Sequence, residues 1–157
     1  MRLKNQIAVI LIALLSAFSL ASAQQPAPKP PIGVPSDSKL FNGKWYRVYL
    51  DQTTWPVARD KCKTLGGQLA VVPDEPTHAF LKELKPDVGL WLGATDEKLE
   101  GAWMWVDGTE MKFKAWAQGE PGGRRAENYL FIIHGAWEDH SNGRPQVIGF
   151  ICEWKAK

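Results

Sequence analysis

Cysteine is scarce. The chain of 157 residues holds two, Cys62 and Cys152, enough for one disulfide. An excess of one charge is missing too. Lys and Arg number 19 against 17 Asp and Glu, and two of the bases, Arg2 and Lys4, lie in a segment expected to be removed. The balance that remains excludes a basic surface steering the protein to nucleic acid or anionic lipid. The sequence has no glycine-rich phosphate loop, no Ser/His/Asp constellation and no internal repeat. The apolar run 7–20 has 14 residues and is broken by Ser16 and Ser19, short of the about 20 that a membrane span needs.

That run reads instead as the core of a secretory signal over residues 1–23. Arg2 and Lys4 give the positive start, and Ala21-Ser22-Ala23 gives a small-x-small cleavage site. The expected localisation is secreted or periplasmic, with no membrane insertion after cleavage. In such a compartment Cys62 and Cys152 are expected to pair. The pair closes 90 residues, which the chain-entropy model values at about 4 to 5 kcal/mol. Residues 24–38, QQPAPKPPIGVPSDS, hold five of the 11 prolines and read as an extended tether.

One folded domain is expected over residues 39–157. KWYRVYL (44–50) is aromatic and β-branched and reads as a strand. Thr54 is placed to cap a helix with Pro56 in its first turn. Trp55, Ala58, Cys62 and Leu65 then share a face, and Gly66-Gly67 ends it. Asp74 is placed to cap a second helix that turns Phe80, Leu81 and Leu84 inward and stops at Pro86. Short strands are expected at 69–72, 90–92, 102–106, 129–133 and 147–154, with a turn at Asp107-Gly108. Residues 119–143 otherwise read as loop.

These stretches resemble the C-type lectin-like domain. The resemblance is carried by WLGATDEKLEGAWMWVDG (91–108), WAQGEP (116–121), Glu127-Asn128, WED (137–139), FICEW (150–154) and the first helix, ARDKCKTLGGQLA. It covers nearly all of 40–154 in the right order. It implies an α+β fold: two helices, a small antiparallel sheet joining the termini, and a long loop region supported by a second sheet. It also implies that Cys62 on the first helix pairs with Cys152 on the last strand. Trp91, Trp103, Trp105 and Phe150 are expected to be core, and Gly93 and Gly101 to serve turns. The single disulfide resembles the short forms seen in bacterial proteins. The usual second disulfide is missing, with Tyr129 at one of its positions.

The resemblance places function in the long loop. Calcium-dependent sugar-binding members surround one Ca²⁺ with a Glu-Pro-Asn triplet, a later Glu, and the Asn-Asp after a Trp. The ion then takes two sugar hydroxyls directly, and the proline is typically cis. Ca²⁺ wants six to eight oxygens, which carboxylates and amides supply. Here Glu120, Pro121, Glu127, Trp137 and Asp139 match. Gly122 and Glu138 stand where the two amides belong. The implied metal ligands are Glu120, Glu127, Glu138 and Asp139, with Glu120, Glu127 and Asp139 meeting the ligand. An auxiliary calcium position has Asp96, Glu100 and Asn128 as candidates, against the plainer reading of Asp96 and Glu100 as a solvated turn. Arg124 and Arg125 can bridge the acids in place of metal, point into solvent, or meet an acidic partner. The residues leave all three open.

Other chemistry is weaker. His134 and His140, which flank HGAWEDH, match no zinc spacing and read as surface histidines. His78 has no evident partner. Glu120 and Glu127 could form a glycosidase pair if about 5 to 9 Å apart, but nothing in the sequence supplies a cleft, so no enzyme is expected. The sequence points to a binding module, for carbohydrate with calcium as cofactor, or alternatively for protein without calcium.

Overall fold

The computed structural model describes residues 28–85, 87–122, 126–142 and 147–156. The expected signal, 1–23, and Arg124 and Arg125 lie outside them, as does the start of the expected tether.

The helices form where proline and capping residues place them. Helix α1 spans Trp55–Thr64 with Pro56 in its first turn, and Trp55, Ala58 and Cys62 are buried. Leu65 is not inward as expected. It is the C-terminal cap and 39% exposed. Thr54 makes no side-chain cap. Helix α2 spans Glu75–Lys82, and here the cap is local, with Thr77 N donating to Asp74 Oδ1 at 2.9 Å.

Among the described residues, eight strands form one sheet. They are β1 (Lys39–Phe41), β2 (Lys44–Tyr49), β3 (Gln68–Leu69), β4 (Gly89–Thr95), β5 (Met104–Trp105), β6 (Tyr129–Ile133), β7 (Ala136–His140) and β8 (Val147–Lys155). The order is β1-β2-β8-β4-β6-β7, with β3 on β8 and β5 on β4. The two expected sheets are continuous because β4 and β8 pair in parallel, with Trp91 opposite Phe150. Gly93 serves no turn. It lies within β4, where an added Cβ would sit 2.7 Å from the Leu69 carbonyl oxygen. Asn42 and Gly43, both at positive φ, turn β1 into β2.

The alternation of β-strand side chains splits the core in two. One cluster gathers Tyr46, Leu81, Leu90, Leu92, Trp103, Trp105 and Trp137; the other gathers Trp45, Trp55, Cys62, Trp91, Phe131, Phe150 and Cys152. The disulfide Cys62–Cys152 joins α1 to β8 within the second, as expected. Val34 packs against this cluster and Arg47 pairs with Asp37 at 2.8 Å, so part of the stretch that reads as tether touches the domain. Glu153, 2% exposed, is fully provided for. Its Oε1 accepts from Lys44 Nζ at 2.8 Å and Gln68 Nε2 at 2.9 Å, and its Oε2 from Val71 N at 3.1 Å.

Candidate functional site

Much of the stretch that reads as loop is a tight hairpin. Strands β6 and β7 are joined by His134 (φ 49) and Gly135 (φ 77), the two positive φ values of a type I′ turn. The register sets Leu130 opposite Asp139 and Phe131 opposite Glu138. Asp139 therefore shares a face with Leu130, and Glu138 shares the other with Phe131. Asp139 is buried and Glu138 half-buried.

The loop carrying Glu120 is laid along β7. Trp137 N donates to Ala115 O and Ala117 N to Trp137 O, both at 2.8 Å. Glu120 N then turns back to Ala117 O at 3.1 Å. The Glu120–Pro121 peptide is cis, and Gly122 N donates to Asp139 Oδ1 at 2.8 Å. Glu120 and Asp139 are thereby brought side by side. Glu120 Oε2 is buried with no donor. The group facing it is another carboxyl, which can bond to it only when one of the two holds a proton. Accordingly the Glu120 carboxyl is pushed up to about 7, first by its contact with Asp139, then by burial, then by the charges of Asp139, Glu138 and Glu127.

Glu127 takes a different role. Its Oε1 lies 3.1 Å from His140 Nδ1, and the His140 ring stacks on Phe131 with centroids 5.0 Å apart. His140 is 6% exposed and so is not the surface histidine expected; His134 is. His78 also has a partner. Buried between Phe113 and Trp137, its Nε2 lies 3.1 Å from Gly135 O. Burial pulls its pKa down, which keeps it neutral with Nε2–H donating.

The three auxiliary candidates do come together. Asp96, Glu100 and Asn128 line one cavity of about 330 Å³ with Glu97, Lys98 and Leu99. Asp96 is no solvated side chain. It is 3% exposed, its Oδ2 accepts from Gly101 N at 2.8 Å, and its Oδ1 is buried without a partner. Burial raises its pKa, against the Gly101 N–H, and Asp139 adds to the rise. Glu100 is exposed, as a turn residue would be.

The donors suit calcium in kind, since all are carboxylate or amide oxygens. Each position also carries one orphaned buried oxygen, Glu120 Oε2 and Asp96 Oδ1. Gly122 brings no side chain, and among the described residues no three His, Cys, Asp or Glu side chains already meet as a metal shell. Glu120 and Asp139 lie together, and Glu127 is held on His140.

Comparison with known proteins agrees with this architecture. Residues 51–154 match the Lectin C-type domain family, whose members are binding modules and not enzymes. The chain is 38% identical over 89 residues to C-type lectin domain family 4 member F of Rattus norvegicus, a match covering 54% of this chain and 16% of the rat protein. Among solved structures, the cow C-type carbohydrate-recognition domain of CD23, determined in the presence of GlcNAc2Man3 oligosaccharide, superposes with a TM-score of 0.73 at 28% identity, covering 79% of this chain and 97% of that one. Herring type II antifreeze protein superposes with a TM-score of 0.72 at 27% identity, covering 79% and 100%. The chain belongs to the Lectin C-type domain family.

Proposed function

We propose that this is an exported carbohydrate-binding module, and that its long-loop face takes sugar hydroxyls through calcium held by Glu120, Glu127, Glu138 and Asp139. The observation carrying the reading is the Glu120–Asp139 pair. Two carboxyls packed together, one with a buried oxygen that nothing satisfies, are a costly arrangement in a protein without a cation. A divalent cation removes the cost by replacing the shared proton. Asp96, Glu100 and Asn128 form the auxiliary position on the same reasoning. The similar carbohydrate-recognition domain of CD23, determined in the presence of an oligosaccharide, supports the ligand class. The disulfide supports export.

Calcium supplies a centre to which vicinal hydroxyls bind; the protein's part is to hold its carboxylates in place and accept from those hydroxyls. The second reading, calcium-independent recognition of a protein, is favoured by Gly122 and Glu138 in the amide positions and by the Glu127–His140 pairing. A glycan array probed with and without a chelator separates the two. Chelator-sensitive glycan binding lost in Glu120→Gln supports the first reading. Absence of glycan binding at millimolar calcium rejects it.

A further inference from the structure

Trp55 opens helix α1, yet three parts of the other half of the molecule meet on it. Its backbone N–H donates to Asn142 Oδ1 at 3.1 Å. This supplies the cap that Thr54 does not make, from a residue 87 positions away. Its ring stacks on Tyr129, with centroids 5.0 Å apart and planes at 26°. Its indole Nε1 donates to Leu92 O at 2.7 Å, on β4. Tyr129 begins β6 just after Glu127. Asn142 closely follows Glu138 and Asp139 at the end of β7. Tyr129 and His140 are also cross-strand partners, and His140 holds Glu127.

We infer that Trp55 and Asn142 form a clamp that fixes the relative placement of Glu127, Glu138 and Asp139 by gripping both open ends of the β6–β7 hairpin. The physical reason lies in both partners. The first-turn N–H groups of a helix need acceptors that the helix cannot provide, and Asn is among the best side chains for that task. A hairpin tied at its turn but free at its open end would let the acids splay. Here the turn is tied by His78 to Gly135; at the open end β6 is paired to β4, with Tyr129 opposite Thr95, and Trp55 with Asn142 adds the tie that reaches past the end of β7. Among the described residues the chain has no free cysteine and no second disulfide to do this work. Asn142 is thus a positioning residue for the ligand site, and in that respect the inference rests on the function proposed above.

The test compares Asn142→Ala and Asn142→Asp with the unaltered full chain. Amide hydrogen exchange is read residue by residue, and Ca²⁺ alone is titrated. Asn142→Ala should speed exchange at Trp55 and at residues 137–140 by roughly five- to tenfold, the scale of a lost cap. Tyr46 and Cys152, in β2 and β8, should be unchanged. Calcium affinity should weaken by a similar factor. Asn142→Asp keeps the acceptor and should restore both. Unchanged exchange at 137–140 in Asn142→Ala overturns the clamp, whatever calcium does. A wild-type chain that takes up no calcium overturns the proposed function and leaves exchange to decide the clamp.

Discussion

Glu153 and Glu120 are chemically identical and are treated in opposite ways. Glu153, on β8 beside the disulfide, spends both oxygens on fixed donors: Lys44, Gln68 and the Val71 amide. Glu120, in the long loop, faces an acid and keeps one buried oxygen without a donor. Asp96 repeats the second pattern, with one oxygen on Gly101 and the other on nothing. Buried polar atoms in native proteins are nearly always satisfied. A carboxylate that is fully satisfied explains itself as structure. One that is not asks for a partner from outside. Trp45 Nε1 and Tyr49 Oη on β2 are buried without partners too, so the contrast is one between carboxylates: Glu153 is satisfied within the sheet, and Glu120 and Asp96 each keep one oxygen that is not.

The contrast can be broken most forcefully in the sheet half. Replacing Cys62 and Cys152 together by Ala should cost about 4 kcal/mol, by the closed-loop entropy of a 90-residue separation. This should appear as a large fall in melting temperature. Glu153→Ala should come next, at roughly 2 kcal/mol, because it strands the buried Val71 amide and takes the partner from the part-buried Lys44. Urea unfolding would measure both. If Glu153→Ala were neutral, the contrast between the two glutamates would be lost.

Changes in the loop half should have the opposite sign. The Glu120 carboxyl lies near 7 in the folded protein against an ordinary 4.5. Folding therefore takes up a proton between those values, and this group's contribution to stability falls as pH rises through that window. With a chelator present, Glu120→Gln should melt higher than wild type at pH 8, by roughly 1 kcal/mol after solvent screening, and equal to it near pH 5. The difference between the two proteins isolates this group from His78, whose lowered pKa removes stability as pH falls below its ordinary 6.5. Asp96→Asn should give a smaller gain of the same sign, since it keeps the acceptor for Gly101 and removes a buried charge. Its melting curve under the same conditions checks this.

Much of the sheet half could be read from the residues. Proline and Asp74 located α2, Cys62 fell on the buried face of α1, and the tryptophans marked the core because their size leaves little choice of environment. The loop half was less legible. Strand β7 does not show in the sequence because its five residues, AWEDH, include two acids and have no clean apolar alternation, although His134-Gly135 is a turn signal. His140 reads as a surface residue, and Asp96 reads equally as an auxiliary ligand or a solvated turn, because burial of a polar side chain depends on how the rest of the fold packs around it. Adjacency in the sequence points to Thr54 as the cap of α1, whereas Asn142 provides it through tertiary structure. The six candidate acids were all visible as residue types. Which of them meet, Glu120 with Asp139, was fixed by the register of β7 against the loop at 115–122.

The most direct test of the central claim is the melting temperature of the protein with excess calcium and with a chelator, for wild type, Glu120→Gln and Asp139→Asn. A site in the loop half predicts that calcium at 100 times its Kd stabilises wild type by about 2.7 kcal/mol, a rise of several degrees, and that both variants lose the rise. A wild-type melting temperature indifferent to millimolar calcium would contradict the account and leave the two carboxyls satisfied by a shared proton alone.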